Sequence, residues 1–173
     1  SRDAKELHWY HPELRGVIPL DDFHVPKSLA KFLKRSNFTY STNRVFREII
    51  TACAKRDSTW INDTIIDLYC DLRAMGFAHS VEVWHDEKLV GGLYGVSLGG
   101  AFFGESMFSQ ETNASKAALV HLVALLKEKG YMLLDAQYTN DHLKQFGVIE
   151  IPCKEYLQQL KRALLITPKS FSY

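Results

Sequence analysis

The sequence predicts an α+β domain in which helices flank a mixed central β-sheet. Segment 78–84 alternates in strand fashion, and the turns Asp86-Glu87 and Gly99-Gly100 separate it from two further strands over 88–97 and 101–107. The apolar residues of the next segment have helical spacing: Ala118, Leu119, Leu122 and Leu126. Because another strand follows that helix, an antiparallel meander is joined to a strand–helix–strand crossover, which indicates a mixed sheet.

The first elements are a short strand, a helix and a second strand. Residues 15–20 read as an extended segment that ends around Pro19, and Pro26 opens a helix that runs to Arg35. Residues 38–42 again alternate as a strand does.

Two helices then precede the meander. Asn43 is a good N-cap for a helix that runs to about Lys55. Asn62 or Asp63 caps the second helix, which closes near Gly76.

The crossover helix begins at Asn113 or Ser115 and ends at Gly130. The remaining elements are a strand over 131–137, a short helix over 140–146, a strand over 148–151 and a last helix from Pro152 to about Leu164. We expect three parts: a segment over 1–36 that is the remnant or start of a small N-terminal domain together with the basic helix, a main domain over 37–165, and a tail over 166–173 without periodicity.

Composition is that of an ordinary globular protein in a reducing compartment, and we expect a cytoplasmic location. Apolar residues make up 46% and charged residues 24% of the 173 residues. The cysteine number, three, is odd and no CxxC spacing occurs. The longest uncharged stretch, 89–104, is shorter than a membrane helix and no secretion signal is apparent, so no membrane association is expected. The seven histidines form no metal-ligand pattern, so no metal is expected.

Charge is distributed unevenly along the chain. Residues 1–56 carry eleven Lys/Arg and six Asp/Glu, whereas residues 57–173 carry ten and fourteen. The first helix has four basic residues at spacings that favour one face: Lys27, Lys31, Lys34 and Arg35. This face could contact an anionic partner, and an ordinary solvated surface is the alternative.

The order of elements matches the core of the GCN5-related acyltransferase fold. The acetyltransferases of that fold hold coenzyme A in a loop with the pattern Gln/Arg-x-x-Gly-x-Gly/Ala, whose amides bind the pyrophosphate. Here the corresponding connection, 104–116, lacks the glycine spacing and carries Glu105 and Glu111. We therefore expect an acyl donor other than coenzyme A and no cofactor.

Six ordered segments resemble the signature blocks of the leucyl/phenylalanyl-tRNA–protein transferases. They are residues 59–61, 78–84, 89–96, 103–109, 113–116 and 134–137. The resemblance extends from about Leu7 to Leu164. It implies transfer of Leu or Phe, and less well Met, from aminoacyl-tRNA to proteins with N-terminal Arg or Lys, a step that feeds N-degron degradation.

The resemblance implies that Asp135 and Gln137 carry the catalysis. They are two residues apart on a predicted strand, so both side chains point to one face. A carboxylate hydrogen-bonded to the amide can polarise it, so that the amide orients the attacking amine. From the residues alone, capping of the next helix explains the pair equally well.

Further roles follow from the same resemblance. Glu105 and Asn140 would bind the acceptor, with an internal salt bridge as the alternative for Glu105. Trp60 and Tyr69 would stack on the terminal adenosine of the tRNA, although large aromatic residues are more often core. The donor side-chain pocket would comprise Leu93, Phe102, Leu122, Leu126 and Leu134, each of which is also a natural core residue.

Three alternative functions remain open at this stage. An N-acetyltransferase of the same fold would use acetyl-coenzyme A. A relative that moves amino acids from tRNA to cell-wall precursors would have a lipid-linked peptide as acceptor. A tRNA- or peptide-binding module would have kept the fold without the chemistry.

Overall fold

A computed structural model describes residues 12–55, 60–137 and 139–171, and its elements confirm the α+β class. In chain order they are β1 (Leu14–Ile18), α1 (Lys27–Arg35), β2 (Thr39–Thr42), α2 (Phe46–Ala54), α3 (Asp63–Ala74), β3 (Ala78–His85), β4 (Lys88–Leu98), β5 (Ala101–Ser109), α4 (Ala114–Lys129), β6 (Leu133–Gln137), α5 (Asp141–Lys144), β7 (Ile149–Pro152) and α6 (Cys153–Leu164).

The strands form one mixed sheet of seven, in the order β2-β3-β4-β5-β6-β1-β7. Neighbours from β2 to β5 are antiparallel, β5 and β6 are parallel, and β1 is antiparallel to both β6 and β7. Helix α4 makes the crossover from β5 to β6, as the spacing of its apolar residues predicts. The first strand, which belongs to segment 1–36, thus lies beside the strand that carries Asp135 and Gln137.

Both faces of the sheet are covered. Leu93 packs in the core beneath α4, whereas the next residue, Tyr94, packs in the core beneath α2 and α3. This alternation follows from the two-residue period of a strand. Phe171, near the C-terminus, is buried in the α4-side core and stacks on His79 with ring centroids 4.3 Å apart.

The two predicted caps before the meander have different outcomes. Asn62 caps α3, since its side chain accepts a hydrogen bond from the N–H of Ile65. The expected N-cap at Asn43 is wrong, because α2 begins after Val45. Asn43 instead joins β2 to β3, where its Oδ1 accepts the Ser80 N–H at 2.9 Å.

Strands β5 and β6 separate after a short paired stretch, and this separation positions the site. They pair only where 101–103 meet 133–135. Just beyond, the register of β4 against β5 shifts, so that Tyr94 opposes Ser106 and Gly95 opposes Gly104. Glu105 is therefore the extra residue of a β-bulge, a device that redirects a side chain and bends the strand away.

Candidate active site

A cavity of about 680 Å³ lies where β5 and β6 part. One side is formed by residues 104–110 of β5 and the turn after it, and the other by residues 134–137 of β6. Its lining brings together Asp135, Gln137, Glu105 and Asn140 with three of the five residues expected for the donor pocket. The topology thus collects residues that are far apart in the sequence into one concave site.

Asp135 is fully buried, and four donor groups surround its carboxylate. Arg15 donates from Nη2 to Oδ2 at 2.8 Å and from Nε to both oxygens at 3.1 and 3.2 Å. The Tyr156 hydroxyl donates to Oδ2 at 2.5 Å, and the backbone N–H of Gln137 donates to Oδ1 at 2.6 Å. Burying a carboxylate is costly unless it is paired and hydrogen-bonded, and here both oxygens are occupied.

Burial and charge favour one protonation state for each partner of Asp135. The pKa of Arg15 is raised: burial acts to lower it, but the hydrogen bonds and the charge of Asp135 outweigh that effect. The pKa of Tyr156 is raised, first by burial and then by its hydrogen bond to the carboxylate. Arg15 therefore stays charged and Tyr156 stays a hydroxyl donor near neutral pH.

Gln137 ends β6 in the left-handed region, with φ of 68°. This conformation is uncommon for a residue other than glycine, and the hydrogen bond from its N–H to Asp135 helps to hold it. Its side-chain Nε2 donates to the Gly104 carbonyl at 3.0 Å and to the Glu105 carboxylate at 3.5 Å. With both hydrogens of Nε2 directed to these groups, Oε1 is the atom of the amide that can accept a hydrogen bond from a substrate.

Capping does not account for Asp135 and Gln137. The N-cap of the next helix, α5, is Asn140, whose Oδ1 accepts the N–H of Leu143 at 2.8 Å. Asn140 also lines the cavity, so it serves the helix and borders the site at once.

Glu105 is a partly buried carboxylate at the bulge of β5. Burial raises its pKa and the nearby charge of Asp135 adds to that effect, while hydrogen bonds from Tyr69 and Gln137 and the charge of Arg15 act to lower it. Across residues 12–55, 60–137 and 139–171, no lysine or arginine forms an ion pair with Glu105. The internal salt bridge considered from the sequence is therefore not seen in these parts of the chain.

The five leucine and phenylalanine positions expected for the donor pocket divide into two groups. Leu93, Leu122 and Leu134 line the cavity. Phe102 and Leu126 are fully buried in the same core but do not line it. The cavity also has apolar lining residues that were not predicted from the sequence: Ile18, Met107, Leu119 and Leu143.

The two aromatic residues expected to stack on adenosine lie side by side outside the cavity lining. Trp60 is 54% exposed, and its ring centroid is 6.2 Å from that of Tyr69. Tyr69 in turn packs edge-on against Tyr94 at 5.3 Å, and its hydroxyl donates to Glu105. An exposed aromatic surface thus lies next to the polar end of the site.

The basic residues of α1 are separate from the cavity. Leu29 faces the core, while the four basic side chains are exposed. They are Lys27, Lys31, Lys34 and Arg35. Their positions suit a macromolecular partner rather than a group bound inside the cavity.

Arg15 and Tyr156 are the site residues that sequence reasoning missed. Arg15 is the single cation of an otherwise apolar strand, β1, which is a weak signal of a buried charge pair. Tyr156 is one aromatic residue on an amphipathic helix and carries no distinguishing signal of its own.

Among the helices of the described ranges, none is long and apolar enough to cross a bilayer. In the same ranges, His, Cys, Asp and Glu side chains form no group of three or more suited to hold a metal ion.

Two solved structures share the fold of this chain. FemX aligns with a TM-score of 0.61 and 13% identity over 88% of this chain and 64% of its own. The structure of L-PGS from Bacillus licheniformis aligns with a TM-score of 0.55 and 13% identity over 88% and 65%. The chain spans slightly less than two thirds of each of these structures, and at this identity the likeness establishes the fold alone.

Sequence comparison identifies the family. A family model described as leucyl/phenylalanyl-tRNA protein transferase matches residues 17–161. A leucyl/phenylalanyl-tRNA–protein transferase of Paramagnetospirillum magneticum (strain ATCC 700264 / AMB-1) is 52% identical over 171 residues, which cover 96% of this chain and 82% of that protein. The chain belongs to the leucyl/phenylalanyl-tRNA–protein transferase family, and it is therefore an aminoacyltransferase that acts with aminoacyl-tRNA and protein substrates.

Proposed function

We propose that this enzyme transfers Leu or Phe, and less well Met, from aminoacyl-tRNA to the α-amino group of proteins that begin with Arg or Lys. The modified protein would then enter N-degron degradation in the cytoplasm. The catalytic domain expected over residues 37–165 would also include β1, which lies between β6 and β7 in the sheet. One observation carries the proposal: a single cavity joins an apolar end to the polar groups of Gln137 and Glu105.

The apolar end of the cavity suits the side chain of the donor amino acid. Leu93, Leu122 and Leu134 offer only apolar surface there, so a polar side chain would lose its hydrogen bonds to water on entry. Such a pocket separates similar apolar side chains by only about 1–3 kcal/mol, which is consistent with several accepted amino acids.

The reaction is the aminolysis of an aminoacyl ester. The acceptor nitrogen forms a bond to the ester carbonyl carbon, the bond from that carbon to the ribose oxygen breaks, and the amine proton leaves with the ribose hydroxyl. Because an ester is already activated, orientation of the amine supplies much of the acceleration and no covalent enzyme intermediate is needed. Oε1 of Gln137 is the acceptor that would orient the amine.

Asp135 fits a positioning role better than that of a base in contact with the amine. Its carboxylate is fully buried, and its oxygens already accept hydrogen bonds from Arg15, Tyr156 and Gln137. Its charge would act on the amine through Gln137.

Acceptor selection would depend on the charge of Glu105. The carboxylate borders the cavity next to Gln137 and forms no ion pair with a lysine or arginine of the described ranges, so an Arg or Lys side chain of the acceptor could pair with it. Asn140 also lines the cavity and would contact the acceptor backbone.

The tRNA would be held outside the cavity. Trp60 and Tyr69 would stack on the terminal adenosine, and the exposed basic residues of α1 would contact phosphates: Lys27, Lys31, Lys34 and Arg35.

A transfer assay tests the proposal. The protein is incubated with radiolabelled leucyl-tRNA and with peptides that begin with Arg, Lys, Asp or Ala. We expect label on the Arg and Lys peptides, whereas no transfer, or equal transfer to all four, contradicts the proposal. A melting-temperature rise with coenzyme A would instead favour an acetyltransferase.

A further inference from the structure

We infer that Arg15 and Tyr156 are positioning residues for the transfer reaction, because together they fix the Asp135 carboxylate that holds the backbone of Gln137. The inference rests on the proposed function, which it extends to two residues outside the expected catalytic pair.

The three side chains form a closed cluster. Arg15 approaches Asp135 with two nitrogens, at 2.8 Å from Nη2 and 3.1 Å from Nε to Oδ2. The Tyr156 hydroxyl bonds the same oxygen at 2.5 Å, and the Arg15 guanidinium lies over the Tyr156 ring at 5.1 Å from its centroid. Each member therefore contacts both of the others, which restricts the carboxylate to one orientation.

The topology of the sheet explains why the cluster forms. β1 is inserted between β6 and β7, with Val17 opposite Asp135, and its register shifts between Gly16 and Val17. Tyr156 comes from the first turn of α6, directly after β7. The cluster thus ties β1, β6 and α6 together at the strand that ends in Gln137.

The consequence for Gln137 follows from the shared carboxylate. With Oδ2 of Asp135 held by Arg15 and Tyr156, Oδ1 remains within 2.6 Å of the Gln137 N–H. This contact supports a backbone with φ of 68°, and the backbone sets where the Gln137 amide lies. Loss of either holding group would let the carboxylate rotate and would move the amide away from the reacting amine, with little change in either substrate pocket.

Two variants and two matched controls test the inference. Tyr156→Phe and Arg15→Gln are compared with Tyr131→Phe and Arg47→Gln, which remove a buried hydroxyl bond and an exposed ion pair elsewhere. We expect the single-turnover rate to fall about 10-fold or more in the first pair, because small misplacements of reacting groups slow a reaction strongly. The KM values for leucyl-tRNA and for the peptide should stay within about twofold of those of the wild type. Unchanged rates in both test variants, or equal losses in the controls, would overturn the inference.

The double variant Arg15→Gln/Asp135→Asn addresses folding. Arg15→Gln alone leaves an ionised carboxylate buried without its main partner, which is costly, whereas the double variant removes both charges. If Arg15 acts through Asp135, the double variant should be no slower than Asp135→Asn alone. If the rate reductions of the two single variants instead multiply in the double variant, Arg15 acts independently of Asp135.

A measurement without substrates separates this inference from the proposed function. Hydrogen exchange of the Gln137 backbone amide, followed by NMR, should be faster in Tyr156→Phe and unchanged in Tyr131→Phe. An unchanged exchange rate in Tyr156→Phe overturns the positioning role whether or not transfer is seen. If the wild-type protein transfers nothing, the proposed function fails, while the amide exchange still decides the role of Tyr156.

Discussion

The Asp135 carboxylate accepts a hydrogen bond of 2.6 Å from the backbone N–H of Gln137, two residues further along β6. The side-chain amide of Gln137 makes its own contacts with Gly104 and Glu105 instead. The two catalytic candidates are thus linked through the main chain at the point where the strand ends. The charge of Asp135 can fix and polarise that peptide unit without touching the substrate.

The first prediction concerns acceptor binding by Glu105. In Glu105→Gln, the Kd of a non-reacting peptide that begins with Arg should rise about tenfold or more, since a hydrogen bond to a charged group contributes about 1.5–3 kcal/mol. Isothermal calorimetry without the donor measures it. Glu150→Gln, an exposed residue of β7, is the control, and an equal effect there would point to long-range charge.

The pH dependence of the same binding follows from the raised pKa of Glu105. Binding needs the ionised carboxylate, so affinity should decline as pH falls, and the decline should begin at a higher pH than the ordinary value of 4.5 would give. Stability changes in the opposite sense: because the folded pKa lies above the unfolded one, this group favours the folded state when protonated and loses that contribution as pH rises. A titration of Kd with pH that is identical for wild type and Glu105→Gln would contradict the assignment.

The donor pocket is tested by two leucines of α4. Leu122 and Leu126 are both fully buried, but only Leu122 lines the cavity. Each change to alanine should lower the free energy of unfolding by about 2–5 kcal/mol. Only Leu122→Ala should change the ratio of phenylalanyl to leucyl transfer, by roughly tenfold, because it enlarges the pocket. Equal ratios in both variants would place the donor side chain elsewhere.

Charge reversal on α1 tests the tRNA surface. Lys31→Glu/Lys34→Glu should weaken tRNA binding and reduce the slope of log K against log salt by about 1 for each phosphate that the helix no longer neutralises. Lys154→Glu/Lys161→Glu, two exposed residues of α6, is the control of equal charge. Binding titrations at several salt concentrations measure the slope. An unchanged slope would show that the basic residues of α1 are an ordinary solvated surface and do not contact tRNA phosphates.

Much of the fold could be predicted because its signals are local. The alternation and turns of β3 to β5, the apolar spacing of α4 and the cap at Asn62 depend on neighbours in the sequence. The prediction that Asn43 caps α2 was wrong because the hydrogen-bond partners of Asn43, His79 and Ser80, lie on another strand.

The site could be predicted only in part because its contacts are long-range. Arg15 meets Asp135 across 120 residues of sequence, through the insertion of β1 beside β6. Spacing places Leu122 and Leu126 on one helix face, yet only the packing decides which of them reaches the cavity. Likewise, Phe171 follows no periodic pattern, and it is buried against the rings of His79, Phe102 and Tyr131, which are distant in the sequence.

Single-turnover transfer by Asp135→Asn tests the central claim most directly. The variant is saturated with leucyl-tRNA and mixed with a peptide that begins with Arg, and Asp67→Asn, an exposed residue of α3, is the matched control. Asparagine keeps the shape but loses the charge that Arg15, Tyr156 and the Gln137 N–H all contact, so the rate should fall by about two orders of magnitude or more while both substrates still bind. A near-normal rate in folded, saturated Asp135→Asn would contradict the account.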